Sequence, residues 1–272
     1  MPARPDPGAA RALAWVYSPA AQRPPLAALC AIEREIGASL RPGLDHQVAH
    51  ARLDWWREEC ARAARGTPTH PLTRELAAHL PPAAIADLAG LVDAAVWDLA
   101  AATFATRREL AAYCERWSVA MAAPLARCAA PEPPAQAVRE LGCKLREMEL
   151  LLHLAGDARA GRIRLPLDEL ARAQAVPAEL ARPPWRESLA ELVRARHREL
   201  RAALAQAVHA LTPAGQAGVR GLVIWAAVTA GHSARAERRL PRAGRTREPH
   251  LLLDGWRAWR AARRVAAGRA VL

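Results

Sequence analysis

Lysine is almost missing from this chain. Lys144 is the single lysine among 39 basic residues, which leaves 38 arginines. Phenylalanine occurs once and tyrosine twice, and threonine and isoleucine are scarce. Ala, Leu and Arg take their place, so helix formers far outnumber strand formers and the composition predicts an all-α fold. The five cysteines are odd in number and form no Cys-x-x-Cys pair. That excludes a disulfide framework and a thiolate zinc site, and it predicts reduced thiols in a cytoplasmic protein. Long apolar runs are missing too. Leu222 to Val228 is far shorter than the ~20 residues a membrane helix needs, so any membrane contact is expected to be peripheral, at the inner membrane face. Residues 1–25 are rich in Pro and Ala without a long apolar block, which does not read as a secretory signal.

With 272 residues, 52% of them apolar, there is material for one sizeable core, and the chain reads as a single domain over 1–272. Residues 1–16 are expected to be flexible, and 237–250, polar and arginine-rich, to form a basic loop. The net charge of +12 suggests a nucleic-acid partner at first sight. The arginines are dispersed, however, no helix-turn-helix, zinc-finger or RNA-binding signature accompanies them, and Arg in place of Lys beside abundant Ala, Pro and Gly is a mark of G+C-rich coding. Nucleic acid is therefore set aside. A positive face remains suited to acidic lipid headgroups or diphosphates.

Proline punctuates the chain at Pro24-Pro25, Pro81-Pro82, Pro131, Pro133-Pro134, Pro183-Pro184 and Pro213. The intervals predict helices over 25–40, 46–65, 71–79, 83–101, 106–129, 135–155, 184–211, 213–236 and 252–267, with a short one at 167–173. Within 135–155, Val138, Leu141, Leu145, Met148 and Leu152 share one stripe at three- and four-residue steps. Gly142, Arg146, Glu149, His153 and Asp157 make a second stripe, either lining a cavity or forming a solvated face with an Arg146–Glu149 pair. His153 and Asp157 are spaced to share a metal or to end a helix as a polar pair. Arg159, Arg162 and Arg164 are suited to a phosphate or to a solvated turn. Of Trp55 and Trp56, one is expected in the core and the other at a rim. Trp256 and Trp259, flanked by Arg257, Arg260, Arg263 and Arg264, fit an interfacial basic helix or a packed terminal helix with a basic outer face.

The stretch from Gly142 to Pro166, ending Gly161, Arg162, Ile163, Arg164, Leu165, Pro166, resembles the second signature of the squalene/phytoene synthases. Other segments follow in matching order. They are Tyr17-Ser18-Pro19, the Leu29–Ile36 helix, the Arg52-Leu53-Asp54-Trp55-Trp56-Arg57 segment, His70-Pro71-Leu72 and the closing Leu253–Arg263 helix. The resemblance implies an isoprenoid-synthase-type helical bundle with a central cavity. Active members join two prenyl diphosphates with Mg²⁺ held between two acidic motifs, because the ionising diphosphate needs that clamp.

Against that pattern the metal-binding aspartates are largely gone. The resemblance places the first motif's aspartates at Gly37, Ala38 and Arg41, and in the second motif His153 and Gly156 replace two acids and only Asp157 survives. The family's cavity Gln and Asn become Arg146 and Glu149. The pattern is similar to the branch that holds the mitochondrial respiratory complex I assembly factor. It implies a non-catalytic accessory or assembly protein binding an isoprenoid, quinone or lipid, with a respiratory-complex or other protein partner. No cofactor is expected on that reading, and no residue is assigned a catalytic role. Arg41, Arg146, Arg159, Arg162 and Arg164 are the anion-binding candidates, Glu149, His153 and Asp157 the polar cavity residues, and His153 and Asp157 the residual metal candidates. The alternative is an active Mg²⁺-dependent prenyltransferase using farnesyl or geranylgeranyl diphosphate.

Overall fold

The computed structural model describes residues 10–41, 43–129, 132–240 and 251–272. These residues form fourteen α-helices with short 3₁₀ turns and no strand. In order they are α1 (Ala10–Tyr17), α2 (Arg23–Gly37), α3 (His46–Ala64), α4 (Pro71–Ala77), α5 (Pro82–Ile85), α6 (Ala89–Leu99) and α7 (Arg107–Arg127), followed by α8 (Ala135–Leu152), α9 (Leu154–Arg159), α10 (Leu167–Arg172), α11 (Glu187–His209), α12 (Pro213–Gly218), α13 (Arg220–Arg239) and α14 (Leu251–Ala266).

Proline starts helices here as the sequence suggests. Pro71, Pro82 and Pro213 occupy first-turn positions, where a missing N–H leaves no carbonyl unserved. Asp45 caps α3 by accepting from Gln47 N at 2.8 Å and Val48 N at 3.2 Å. The start of α4 rests on a buried carboxylate. Glu59 accepts the backbone N–H groups of Thr69 and His70 at 2.8 Å each and pairs with Arg62 at 2.7 Å.

The middle of the bundle is α13, whose residues from Gly221 to Gly231 are all buried. A helix apolar on every side must be surrounded, and α1, α8, α11 and α14 pack around it. Two glycines set the closest approaches. A Cβ at Gly221 would collide with Ser18 Oγ beneath α1, and one at Gly142 would collide with Ser118 Oγ and sit 2.8 Å from Ala122 Cβ on α7. The α7–α8 pair and the α1–α13 pair therefore depend on absent side chains.

Several expectations are corrected. Of residues 1–16, 1–9 lie outside the described residues and 10–16 belong to α1, which packs on α13. The 83–101 helix breaks into α5, a 3₁₀ turn and α6, the 135–155 helix ends at Leu152, and the 213–236 helix breaks at Val219. Of the 237–250 loop, Glu237, Arg238 and Arg239 complete α13, and 241–250 lie outside the described residues. Trp56 is in the core and Trp55 at the rim, 44% exposed, their rings 5.2 Å apart. All five cysteines are free. Among the described residues no helix is long and apolar enough to cross a membrane.

Candidate functional site: a cavity closed by arginines

A cavity of about 270 Å³ lies between α2, α6, α7 and α8, with Arg11 of α1 reaching into it. Its apolar wall is Ile36, Leu40, Leu91, Ala94, Ala95 and Trp117, and its polar wall includes Glu33, Asp98, Tyr113 and Arg146.

Two glutamates, Glu33 of the cavity wall on α2 and Glu149 on α8, are bridged by two guanidinium groups. Arg11 pairs with Glu33 through Nη1 and with Glu149 Oε2 at 3.0 Å through Nη2. Arg146 Nη1 lies 3.4 Å from Glu33 Oε1 and 3.3 Å from Glu149 Oε2. Two indoles complete the ring. Trp117 Nε1 donates to Glu33 Oε1 at 2.8 Å and Trp225 Nε1 to Glu149 Oε1 at 3.0 Å. The indoles meet edge to face at 5.7 Å, with Arg11 4.8 Å over Trp225 and Arg146 5.4 Å over Trp117. The cluster has two positive and two negative charges, so its formal charge cancels within one contact shell. Burial opposes ionisation of Glu33, but Arg11 and Arg146 outweigh it and hold the carboxyl below its ordinary value. Burial likewise disfavours the Arg11 cation, and Glu149 and Glu33 reverse this and push its pKa up.

A second cluster reaches the cavity wall through Asp98 and Tyr113. Arg164, whose side chain is 4% exposed, makes a two-pronged pair with Asp98 at 2.6 and 2.8 Å and reaches Asp157 Oδ2 at 3.1 Å. Arg162 takes Asp157 Oδ1 at 3.0 Å, and Tyr113 donates to Asp98 Oδ2 at 3.1 Å. Burial raises the Tyr113 pKa, which keeps its hydroxyl a donor.

The sequence-derived candidates thus divide. Arg146 lines the cavity and pairs with Glu149, whereas the other proposed anion ligands do not join them. Arg41 is exposed, its Nε donating to Ala38 O at 3.2 Å, and it does not line the cavity. Arg159 is exposed and bonded to Ala181 O at 3.4 Å. Arg162 pairs with Asp157, and Arg164 with Asp157 and Asp98, so the five arginine candidates are not brought together. His153 is exposed with Nδ1 2.8 Å from Glu149 O, and Asp157 serves the 162–164 turn; the two do not make a metal pair. Glu33, Arg11, Asp98, Trp117 and Trp225 escaped the sequence reading. Glu33 lies one turn before the positions where the resemblance puts the first acidic motif, and the partners of Arg11 lie 22 and 138 residues away.

This arrangement is a helical cup with carboxylates on opposing helices. The sequence profile described as squalene/phytoene synthase matches residues 6–257. The chain belongs to the squalene/phytoene synthase family. Among solved structures it is similar to a dehydrosqualene synthase in complex with ligand, at 15% identity over 92% of this chain and 90% of that one, with a TM-score of 0.72. It is also similar to the squalene synthase HpnC from Alicyclobacillus acidocaldarius, at 20% identity over 84% and 88% of the two chains, with a TM-score of 0.63. These likenesses establish the shared isoprenoid-synthase fold. A search of curated proteins gives no match.

The family implies Mg²⁺, which wants several open oxygen ligands at about 2.0–2.1 Å. The donor set here does not fit it. Each oxygen of Glu33 and Glu149 already faces a guanidinium or an indole N–H, both oxygens of Asp157 accept from arginine, and no group of three His, Cys, Asp or Glu among the described residues is arranged to hold a metal.

Proposed function

We propose that this chain is a non-catalytic member of its family, an accessory or assembly protein that keeps a small apolar cavity for one isoprenoid, quinone or lipid chain. The observation that carries this reading is the pair of guanidinium groups between Glu33 and Glu149. Both carboxylates are already neutralised by arginines. A fixed guanidinium neutralises the carboxylates as a metal would, yet it offers no open coordination site to a departing diphosphate. The size of the cavity supports the same reading. About 270 Å³ lies below the roughly 300–1,000 Å³ of pockets that enclose a drug-sized ligand, room for the end of one chain. The apolar wall of Ile36, Leu40, Leu91, Ala94 and Ala95 suits a single slim hydrocarbon end.

The rival reading, an active Mg²⁺-dependent prenyltransferase, draws on the family and on the preserved cup of helices. One assay separates the two. Purified protein is incubated with farnesyl or geranylgeranyl diphosphate and Mg²⁺, and the organic extract is analysed. The expected outcome is unchanged substrate; squalene, phytoene or a cyclopropyl intermediate would overturn the proposal.

A further inference from the structure

Helix α14 has two unlike faces. Its inner face is made of small and buried residues, Ala258, Ala261 and Val265, packed toward α13 and α1. Its outer face is apolar as well. Leu252 is 90% exposed, and Trp256 and Trp259 are about half exposed at 51% and 49%. At about 100° per residue, Trp259, Leu252, Arg263, Trp256 and Arg260 fall in one arc of roughly 100° on the side opposite the buried residues.

A soluble helix normally turns charge outward, and single exposed apolar residues need no explanation. Here two tryptophans and a leucine share one arc, and the charges that accompany them are of one sign. Arg260 lies 5.2 Å over the Trp256 ring and Arg263 5.7 Å over Trp259. The one carboxylate of the helix, Asp254, is turned inward, 2.9 Å from His232 and 2.6 Å from Arg235. The outer arc therefore presents indoles and cations with no anion among them, on a chain with a net charge of +12.

We propose that this outer face of α14 docks on an anionic lipid surface. Indoles bury their apolar bodies at the headgroup boundary while keeping the N–H wet, and guanidinium groups stacked beside them meet lipid phosphates. The partner chemistry follows from complementarity. A neutral apolar partner would leave Arg260 and Arg263 desolvated, whereas an anionic headgroup layer pairs with them. The surface is distinct from the arginine-closed cavity and does not depend on the role proposed for that cavity.

The full-length chain is tested by co-sedimentation with phosphatidylcholine vesicles, with and without about one third phosphatidylglycerol. Binding to the anionic vesicles is expected, at least tenfold stronger than to the neutral ones, weakened but not abolished by high salt, because the apolar contribution survives screening. The double substitution W256S/W259S and the charge reversal R260E/R263E should each lower binding at least tenfold while circular dichroism and melting temperature stay at parent values, since all four side chains are exposed. L252D gives an independent check on the same arc. Absence of binding to anionic vesicles overturns the proposal, and so does binding that is erased by salt and indifferent to the tryptophans. A concentration-dependent dimer in light scattering that W256S/W259S abolishes would assign the face to a second copy of the chain instead.

Discussion

Arg11 Nη2 lies 3.0 Å from Glu149 Oε2, an ion pair between residues 138 positions apart that ties the first described helix to the wall of the cavity. Its other nitrogen holds Glu33. Removing one partner from a desolvated pair leaves a charge without compensation, and the penalty is about 3–5 kcal/mol in fully buried cases. The four side chains here keep 13–24% exposure, which places R11M near the lower end, about 3 kcal/mol. Urea denaturation of R11M should show this loss, and R11M/E149Q should recover part of it.

The same pair predicts an acquired metal response. In the parent protein Mg²⁺ should leave the melting temperature unchanged, because the Glu33 and Glu149 oxygens are occupied by nitrogen donors. In R11M two carboxylates on facing helices lose their main counter-charge, so a divalent cation should stabilise that variant through preferential binding to the folded state. Thermal melts of both proteins across a Mg²⁺ series decide it. A parent protein that shifts as much as R11M would mean that a cation site exists alongside the arginines.

The sequence made the helices legible and left the cavity mostly hidden. Proline punctuation and the stripe of Val138, Leu141, Leu145 and Met148 found α8 and its buried face, because those signals act within a few residues. What closes the cavity is non-local. Arg11 sits in an Ala- and Pro-rich stretch whose helix forms because Gly221 lets α1 approach α13, and no local pattern records that contact. The register for the first acidic motif drew attention to Gly37, Ala38 and Arg41, while the carboxylate that enters the cavity is Glu33, one turn earlier on the same face as Gly37. Arg162 and Arg164 read as free cations because Asp98, 66 residues before Arg164, gives no sign of pairing along the chain.

Two buried groups predict how acid unfolds the protein. His197, 2.9 Å from Ser233 Oγ, is held neutral: burial, with Arg201 close by, pushes its pKa from 6.5 down to about 4. The unfolded chain then binds a proton that the folded chain refuses, so stability is full above pH 6.5 and falls as pH drops toward 4, by about 3 kcal/mol. Glu59 acts in a lower window. Burial opposes its charge, but hydrogen bonds from His70, Thr69, Thr73 and Arg62 prevail and bring its pKa from 4.5 to about 2. Its contribution is present above pH 4.5 and is lost on the way to pH 2. Unfolding free energies at pH 7, 5 and 4 should therefore fall less steeply in H197Q than in the parent, with the difference vanishing above pH 7. A parallel fall in both proteins would show that His197 titrates normally.

Gly37 offers a test of why restoring one acid is not enough. It closes α2 with helical angles, φ −61° and ψ −25°, and an added Cβ there meets nothing within 4 Å. A glycine whose conformation suits any residue loses excess chain entropy on folding, so G37A should stabilise the protein by about 0.4–1 kcal/mol. The Cβ of G37D is likewise free of contacts, and the substitution puts a carboxylate where the resemblance places one of the first motif's acids. It stands four residues after Glu33 on the same helix face, and that like-charge spacing opposes the stability gain by a few tenths of a kcal/mol. Synthase activity should not appear in G37D, because Arg11 and Arg146 still occupy Glu33 and Glu149, and Arg162 and Arg164 still occupy Asp157. Urea denaturation orders the three proteins, with G37A expected above both others. Extraction after incubation with farnesyl diphosphate and Mg²⁺ checks the chemistry, and any condensed product from G37D would mean that the arginines yield to metal when a third carboxylate is supplied.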